Sequence, residues 1–226
     1  MPVYRLPEEP IFPPVDEAED GLLAIGGDLS PERLIAAYMS GIFPWYSEGD
    51  PILWHAPDPR CVLTPDSLKV SRRLRRTVDS GRFNVTLDQN FDDVIEACAV
   101  TPREGQAGTW ITTAMLDAYR ELHRLGLGHS VEVWSREDLV GGLYGVSLGS
   151  MFFGESMFSH ERDASKVALV TLIEQLATWR MPLLDCQVEN DHLLSMGAEL
   201  WPREKFMRRL EELLATPTHR GPWQFD

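Results

Sequence analysis

The stretch HSVEVWSREDLVGGLYGVSLGSMFFGESMFSHERDASKVALVTLIEQLATWRMPLLDCQVE, residues 129–189, decides the fold. It opens with three segments, HSVEVW, LVGGLYGVSL and MFFGESMF, rich in β-branched and aromatic residues and separated by polar and glycine-containing turns. Such runs read as strands joined in series. The next segment, DASKVALVTLIEQLATWR, is too long without a turn signal to be a strand and reads as a helix, and LLDCQVE follows as a further strand. Three antiparallel strands, a helix and a crossover to another strand describe an α/β (α+β) layer with helices packed on a mixed sheet.

Within LLDCQVE the two-residue period of a strand sorts the side chains. Leu184, Cys186 and Val188 fall on one face and Asp185, Gln187 and Glu189 on the other. Cys186 in an apolar row is expected to be a buried, inert thiol. Asp185 and Gln187 place a carboxylate and an amide roughly 7 Å apart along one face, enough to grip a polar group between them; a polar sheet face in water is the alternative. Glu155 lies in an otherwise apolar and aromatic strand. Burying a carboxylate there is costly unless a hydrogen-bond donor or a cationic ligand meets it.

Working outward, residues 1–29 are rich in Pro and Gly and read as extended chain and turns. LSPERLIAAYMSGIF is a short helix, with Ser30 as cap, Pro31 at the first helical position and Gly41 just past the end. FPWYSEGDPILWHAPDPRCVL, dense in Pro and aromatics, reads as irregular surface with one or two short strands. A small N-terminal subdomain is placed at 1–62 and the larger domain at 63–226. The latter begins with a helix near 71–79 ending at Gly81, the strand RFNVTL, the helix NFDDVIEACAV, and a periodic helix TTAMLDAYRELHRLG capped by Thr112 or Thr113 and stopped at Gly126. After LLDCQVE come a short helix, NDHLLSM, and a last one through EKFMRRLEELLA.

At 226 residues and 43% hydrophobic, the chain can build a substantial core without crosslinks. Cys61, Cys98 and Cys186 form no C-x-x-C pair, so neither a disulfide framework nor a thiolate metal site is indicated, and a cytoplasmic location fits. The N-terminus lacks the basic and apolar regions of a secretory signal, and no segment approaches the roughly 18 uninterrupted apolar residues of a membrane span. No membrane association is expected. A formal charge of -14 argues against a polyanionic partner. Against that stands KVSRRLRR, with Lys69, Arg72, Arg73, Arg75 and Arg76 and no acid among them. Such a patch on an acidic protein makes a selective, salt-sensitive docking site, unless it is only a solvated helix face.

Several motifs are excluded. GVSLG at 145–149 matches the G-x-S-x-G elbow in letters, but an elbow turns from strand into helix, whereas the following SMFFGESMF is a strand. Neither G-x-G-x-x-G nor G-x-x-x-x-G-K-[ST] occurs, and the six histidines show no i, i+4 pair, so no phosphate loop or zinc site is indicated.

The runs GGDLSPERLIAAYMSGIFPWYSEGDPILWHAPDPRCVL, GTWIT, HSVEVW, LVGGLYGVSLGSMFFGESMFS, ASKVAL and DCQVENDHLLSMGAE resemble the leucyl/phenylalanyl-tRNA-protein transferases, in that family's order and over about residues 20–205. The resemblance implies an N-terminal subdomain followed by a GNAT-like (acetyltransferase-related) domain. It implies transfer of Leu, Phe or Met from an aminoacyl-tRNA to proteins beginning with Arg or Lys, which marks them for N-end rule degradation, with no metal or nucleotide cofactor. By motif it carries Asp185, Gln187 and Glu155 onto active-site positions. Asp185 is expected to hold the incoming amine, Gln187 to orient the amine or the ester, and Glu155 to build the polar edge of the aminoacyl pocket. Leu143, Met157 and Leu172 stand at pocket positions, the first and last being smaller than in some relatives, which bears on the taste for Phe. Tyr38, Trp45 and Trp110 are candidates to stack on the terminal adenosine, where each base–aromatic stack contributes about 1–3 kcal/mol, and Lys69 to Arg76 would hold acceptor-stem phosphates. His55 stands where some relatives carry an aromatic, and no catalytic role is attached to it. A monomer is the default expectation.

Two rival readings make different demands. A generic acetyltransferase needs a glycine-bearing pyrophosphate loop before the long helix, where this chain has SHERDASKVAL. A non-catalytic RNA-binding adaptor would use the basic helix and the tryptophans but leaves Glu155, Asp185 and Gln187 without a purpose.

Overall fold

The structure, a computed structural model, describes residues 3–101 and 111–225. Near the N-terminus, strands β1 (Tyr4–Arg5), β2 (Leu22–Ile25), β3 (Phe43–Pro44) and β4 (Leu53–His55) form a small sheet in the order β1-β2-β4-β3. Helix α1 (Pro31–Met39) begins as its sequence predicts, with the Ser30 hydroxyl accepting from the Arg33 amide and Pro31 leading the first turn. It stops at Gly41, whose φ of +72° an L side chain rarely adopts.

The larger sheet has seven strands. In chain order these are β5 (Arg60–Leu63), β6 (Asn84–Leu87), β7 (Gly128–Ser135), β8 (Asp138–Leu148), β9 (Met151–Ser159), β10 (Leu183–Gln187) and β11 (Glu199–Trp201), and in space the order is β11-β5-β10-β9-β8-β7-β6. The helices are α2 (Arg72–Asp79), α3 (Phe91–Val100), α4 (Thr113–Arg124), α5 (Ala164–Thr178), α6 (Asp191–Ser195) and α7 (Arg203–Leu214). All named strand pairs of this sheet are antiparallel except β9 with β10, the pair joined by the α5 crossover. The mixed α/β architecture expected from residues 129–189 is therefore present.

Both faces of the sheet are covered, which is why its central strands read as apolar runs instead of clean alternations. On one face α1, α3, α4 and α7 pack with Tyr144, Phe153 and Leu183; on the other α2 and α5 pack with Leu143, Phe152 and Leu184. Leu34, Tyr38 and Trp54 of the N-terminal sheet and helix belong to the same core as Tyr119 and Phe153. The boundary expected after residue 62 falls inside β5, which lies between β10 and β11 in the large sheet. The strand β11, unread in the sequence, extends that edge; two of its three residues are exposed, so it carries little apolar signal.

Candidate active site

The site arises where two parallel strands stop pairing. The β9–β10 ladder runs through Leu183 with Met151, Leu184 with Phe152 and Asp185 with Phe153, and ends there. Beyond it β10 bulges toward β5: Asp185 opposes Val62, Gln187 opposes Cys61, and Cys186 is the extra residue between them. Gln187 adopts φ +63°, a left-handed conformation that its neighbours must hold. On the other side of β9, Gly145 sits at a second irregularity, where an added Cβ would stand 2.1 Å from the Phe153 carbonyl oxygen. The parting strands leave a cavity of 480 Å³ whose wall includes Leu143, Glu155, Met157, Leu169, Cys186 and His192.

Glu155 is the polar pole of this cavity. Its side chain is buried, and three donors converge on it: the Tyr38 hydroxyl to Oε1 at 2.8 Å, the Tyr119 hydroxyl to Oε2 at 2.8 Å, and the Gln187 amide Nε2 to Oε1 at 2.6 Å. Burial pushes its pKa up to about 7, against the three donors, which favour the anion; the nearby Asp185 charge adds to the rise. The same burial, with the Glu155 charge beside them, drives the Tyr38 and Tyr119 hydroxyls well above the usual phenol range, so both remain donors.

Asp185, expected to hold an incoming amine, is engaged by an arginine in this structure. It is fully enclosed and forms a two-pronged ion pair with Arg60, Nε to Oδ1 at 2.9 Å and Nη2 to Oδ2 at 2.7 Å. Its Oδ1 also accepts from the Gln187 backbone amide at 2.9 Å, which pins the bulge and its left-handed residue. Arg60 donates in addition to the Gly41 carbonyl at 3.0 Å and lies 4.8 Å from the centroids of both Phe43 and Phe206. The Asp185 carboxylate thus pairs with Arg60 and the Gln187 amide with Glu155. Neither Arg60 nor Tyr119 stands out in the sequence. Arg60 is one arginine in a Pro-rich run, and Tyr119 sits on the buried face of a helix whose aromatic reads as core.

Other expected positions divide. Leu143 and Met157 are cross-strand partners and both line the cavity. Leu172 does not; it is fully buried in the core beneath α5, and Leu169, one turn earlier, faces the cavity instead. Tyr38, expected to stack on the terminal adenosine, is fully buried, and its hydroxyl donates to Glu155. Trp45 is half-buried against His55, ring centroids 5.8 Å apart, and keeps part of its surface open. Trp110 lies outside the described residues. Cys186, expected to be sealed in an apolar row, is only partly buried and borders the cavity because the bulge turns it there.

The basic stretch forms α2 and the turn before it. Arg75 is taken by Glu174 at 2.6 Å, whereas Lys69, Arg72, Arg73 and Arg76 are exposed with no carboxylate within 4.0 Å among the described residues. Lys69 and Arg73 line a surface groove of 560 Å³ together with Arg162, which precedes α5, and Lys166 of its first turn, an extension the sequence did not show. Among the described residues no cluster of His, Cys, Asp or Glu is arranged to hold a metal, and no helix is long and apolar enough to cross a membrane.

Comparison with known proteins decides the family. The profile of the leucyl/phenylalanyl-tRNA protein transferases matches residues 62–211, and that of the family's N-terminal domain matches residues 27–58. This chain belongs to that family. Leucyl/phenylalanyl-tRNA–protein transferases of Anaeromyxobacter sp. (strain Fw109-5) and Myxococcus xanthus (strain DK1622) are 58% and 56% identical to it, over 100% and 99% of this chain and 97% of each relative. As a member of the family it is a transferase. Among solved structures, a GCN5-related N-acetyltransferase-like protein from Streptococcus suis 89/1591 aligns with 71% of this chain and 59% of its own at a TM-score of 0.36 and 14% identity. A likeness of that degree identifies neither activity nor substrate.

Proposed function

We propose that the cavity between β9 and β10 receives the Leu, Phe or Met side chain of an aminoacyl-tRNA, and that the ester is opened there by the N-terminal amine of a protein beginning with Arg or Lys. The observation that carries this reading is the cavity itself: an apolar wall of Leu143, Met157 and Leu169 that ends at one buried carboxylate, Glu155, held by three donors. An apolar side chain fills the wall, and its amino and ester groups come to lie at the polar pole. Met157, flexible and unbranched, lets one cavity take side chains of different shape.

The chemistry is aminolysis of an activated ester. The acceptor nitrogen adds to the carbonyl carbon, the C–O bond to the terminal ribose breaks, and the ribose hydroxyl leaves with a proton derived from the amine. The chain's contribution is to orient and to place charge. Glu155 offers a negative pole to an ammonium group, and its pKa near 7 suits exchange of a proton with an amine at neutral pH. Gln187 holds Glu155, and Asp185 with Arg60 holds Gln187. Trp45 and Trp110 flank the terminal adenosine, and Lys69, Arg72, Arg73 and Arg76 meet the acceptor-stem phosphates, so a chain of net charge -14 engages RNA through one local patch. The product carries a new apolar N-terminal residue, which destines it for N-end rule degradation. The chain is read as a monomer, and its reaction, which needs charged tRNA, as a cytoplasmic one.

The test is transfer of radiolabelled leucine from charged tRNA to two peptides differing only in an N-terminal Arg or Ala, with wild type, Glu155→Gln and Gln187→Ala side by side. Arg-dependent incorporation that falls at least tenfold in both variants is expected, since losing one oriented polar group at a reacting centre costs about 10²-fold or more. Full activity in both variants would remove the cavity from the reaction.

A further inference from the structure

The β10 bulge brings two cysteines together at the cavity wall. Cys186 and Gln187 jointly oppose Cys61 of β5, so the extra residue of the bulge lies beside the cysteine of the neighbouring strand. Facing residues of adjacent antiparallel strands have Cβ atoms roughly 4.5–5.5 Å apart, close to the separation a disulfide spans. The register sets the two side chains beside one another across the β5–β10 seam. Their access differs: Cys61 is wholly buried, while Cys186 is partly exposed and borders the 480 Å³ cavity. A small oxidant entering the cavity therefore meets Cys186 first, with Cys61 immediately behind it. Cys98 is buried in α3 against the other core face, away from this cavity.

We propose that Cys61 and Cys186 are an oxidation site, a dithiol that closes to a disulfide when peroxide enters the empty aminoacyl cavity and so switches transfer off. The Cys186 sulfur attacks one peroxide oxygen, the O–O bond breaks, and one water leaves with a sulfenic acid on Cys186. The Cys61 sulfur displaces that hydroxyl as a second water, forming the S–S bond. Two thiols are oxidised by two electrons and one hydrogen peroxide is reduced to two waters. A sulfur–sulfur bond of about 2.05 Å draws the bulge toward β5. The residues on either side of Cys186 are Asp185 and Gln187, whose hydrogen bonds position Glu155, so the cavity wall and its polar pole move together. Reduction restores both.

The effect on transfer rests on the aminoacyl reading of the cavity; formation of the disulfide does not. The purified full-length chain is treated with hydrogen peroxide and divided. One part is digested without reduction and weighed by mass spectrometry; the other is assayed for leucine transfer before and after dithiothreitol. A linked Cys61–Cys186 peptide, two hydrogens lighter than its free components, is expected together with a loss of transfer on the order of tenfold or more that dithiothreitol reverses. Cys61→Ala and Cys61→Ser, which alter a residue outside the cavity wall, should retain untreated activity and lose the dithiothreitol-reversible inhibition. Recovery of Cys61 and Cys186 as separate alkylatable thiols after peroxide overturns the proposal, as does a linked chain that transfers leucine at the untreated rate. Inactivity of the untreated chain would instead strike the aminoacyl reading, with the linked peptide still deciding the oxidation site.

Discussion

Replacing Arg60 by leucine tests the arrangement beneath the cavity. The guanidinium satisfies both oxygens of Asp185, and neither side chain meets solvent to any useful extent, at 2% and 0% exposure. Removing the cation leaves a carboxylate buried and unpaired, which costs about 3–5 kcal/mol. Giving up the ring faces of Phe43 and Phe206 adds about 1 kcal/mol, partly offset by the leucine's own packing. Against a total stability of about 5–15 kcal/mol the deficit is large, and for a chain of this length it lowers the melting temperature by roughly 10 °C. Removing both charges separates pairing from burial. In Arg60→Leu with Asp185→Leu neither charge of the pair is left, so much of the loss returns, short by the about 1–3 kcal/mol of a Gln187 amide without its acceptor. Urea unfolding of wild type, the two single variants and the double variant gives the coupling energy, expected at about 2 kcal/mol or more. Leucine transfer should stay low in the double variant despite its recovered stability, because Gln187 and Glu155 have lost their anchor. An Arg60→Leu chain within about 1 kcal/mol of wild type, or a double variant no more stable than the singles, would refute the account.

Other outcomes follow from the same geometry. Glu155 titrates near 7 when folded against an ordinary carboxylate value of 4.5. The folded state therefore binds the extra proton, and its contribution to stability is complete below 4.5 and lost as pH rises through about 7. Glu155→Gln should flatten the fall in unfolding free energy between those values, by a few kcal/mol at most; equal slopes in equilibrium unfolding across that window would contradict the burial effect. Leu172→Ala, a cavity made in the core, should cost about 2–5 kcal/mol with little change in the Leu-to-Phe ratio of kcat/KM, whereas Met157→Ala should shift that ratio, and competition between the two charged tRNAs reports both. Joint replacement of Lys69, Arg73 and Lys166 by alanine should reduce the dependence of log KM on log salt by roughly two to three units, at about 0.7–0.9 for each phosphate no longer neutralised. Arg75→Ala, with its charge already met by Glu174, should change it less.

Much of the framework is local and could be read from the chain. Ser30 caps α1 because a hydroxyl before a helix meets an amide three residues on, and Thr112 does the same for α4. The two faces of β10 also followed from its period, with Leu184 and Asp185 on opposite cores. The out-of-place carboxylate in MFFGESMF marked Glu155, since a charge in an apolar strand requires donors that a neighbouring element must supply. The family's motifs brought Gln187, Leu143 and Met157 to the same place.

What the chain could not announce were pairings made across long intervals. Arg60 and Asp185 meet over 125 positions, and Tyr38 reaches Glu155 over 117, only because β5 inserts beside β10 and α1 and α4 cover one face of the sheet. No period or cap encodes that strand order. Leu169 and Leu172 are both apolar residues of one helix, and which of them meets the cavity depends on where β9 and β10 part. The bulge at Cys186 is likewise a compromise between two neighbouring strands. By itself the sequence determined most of the helices and the central strands, which faces are apolar, and that a buried carboxylate needed partners. Tertiary structure alone decided who those partners are, because hydrogen bonds and ion pairs are satisfied by proximity in space, and proximity is set by packing that no single segment contains.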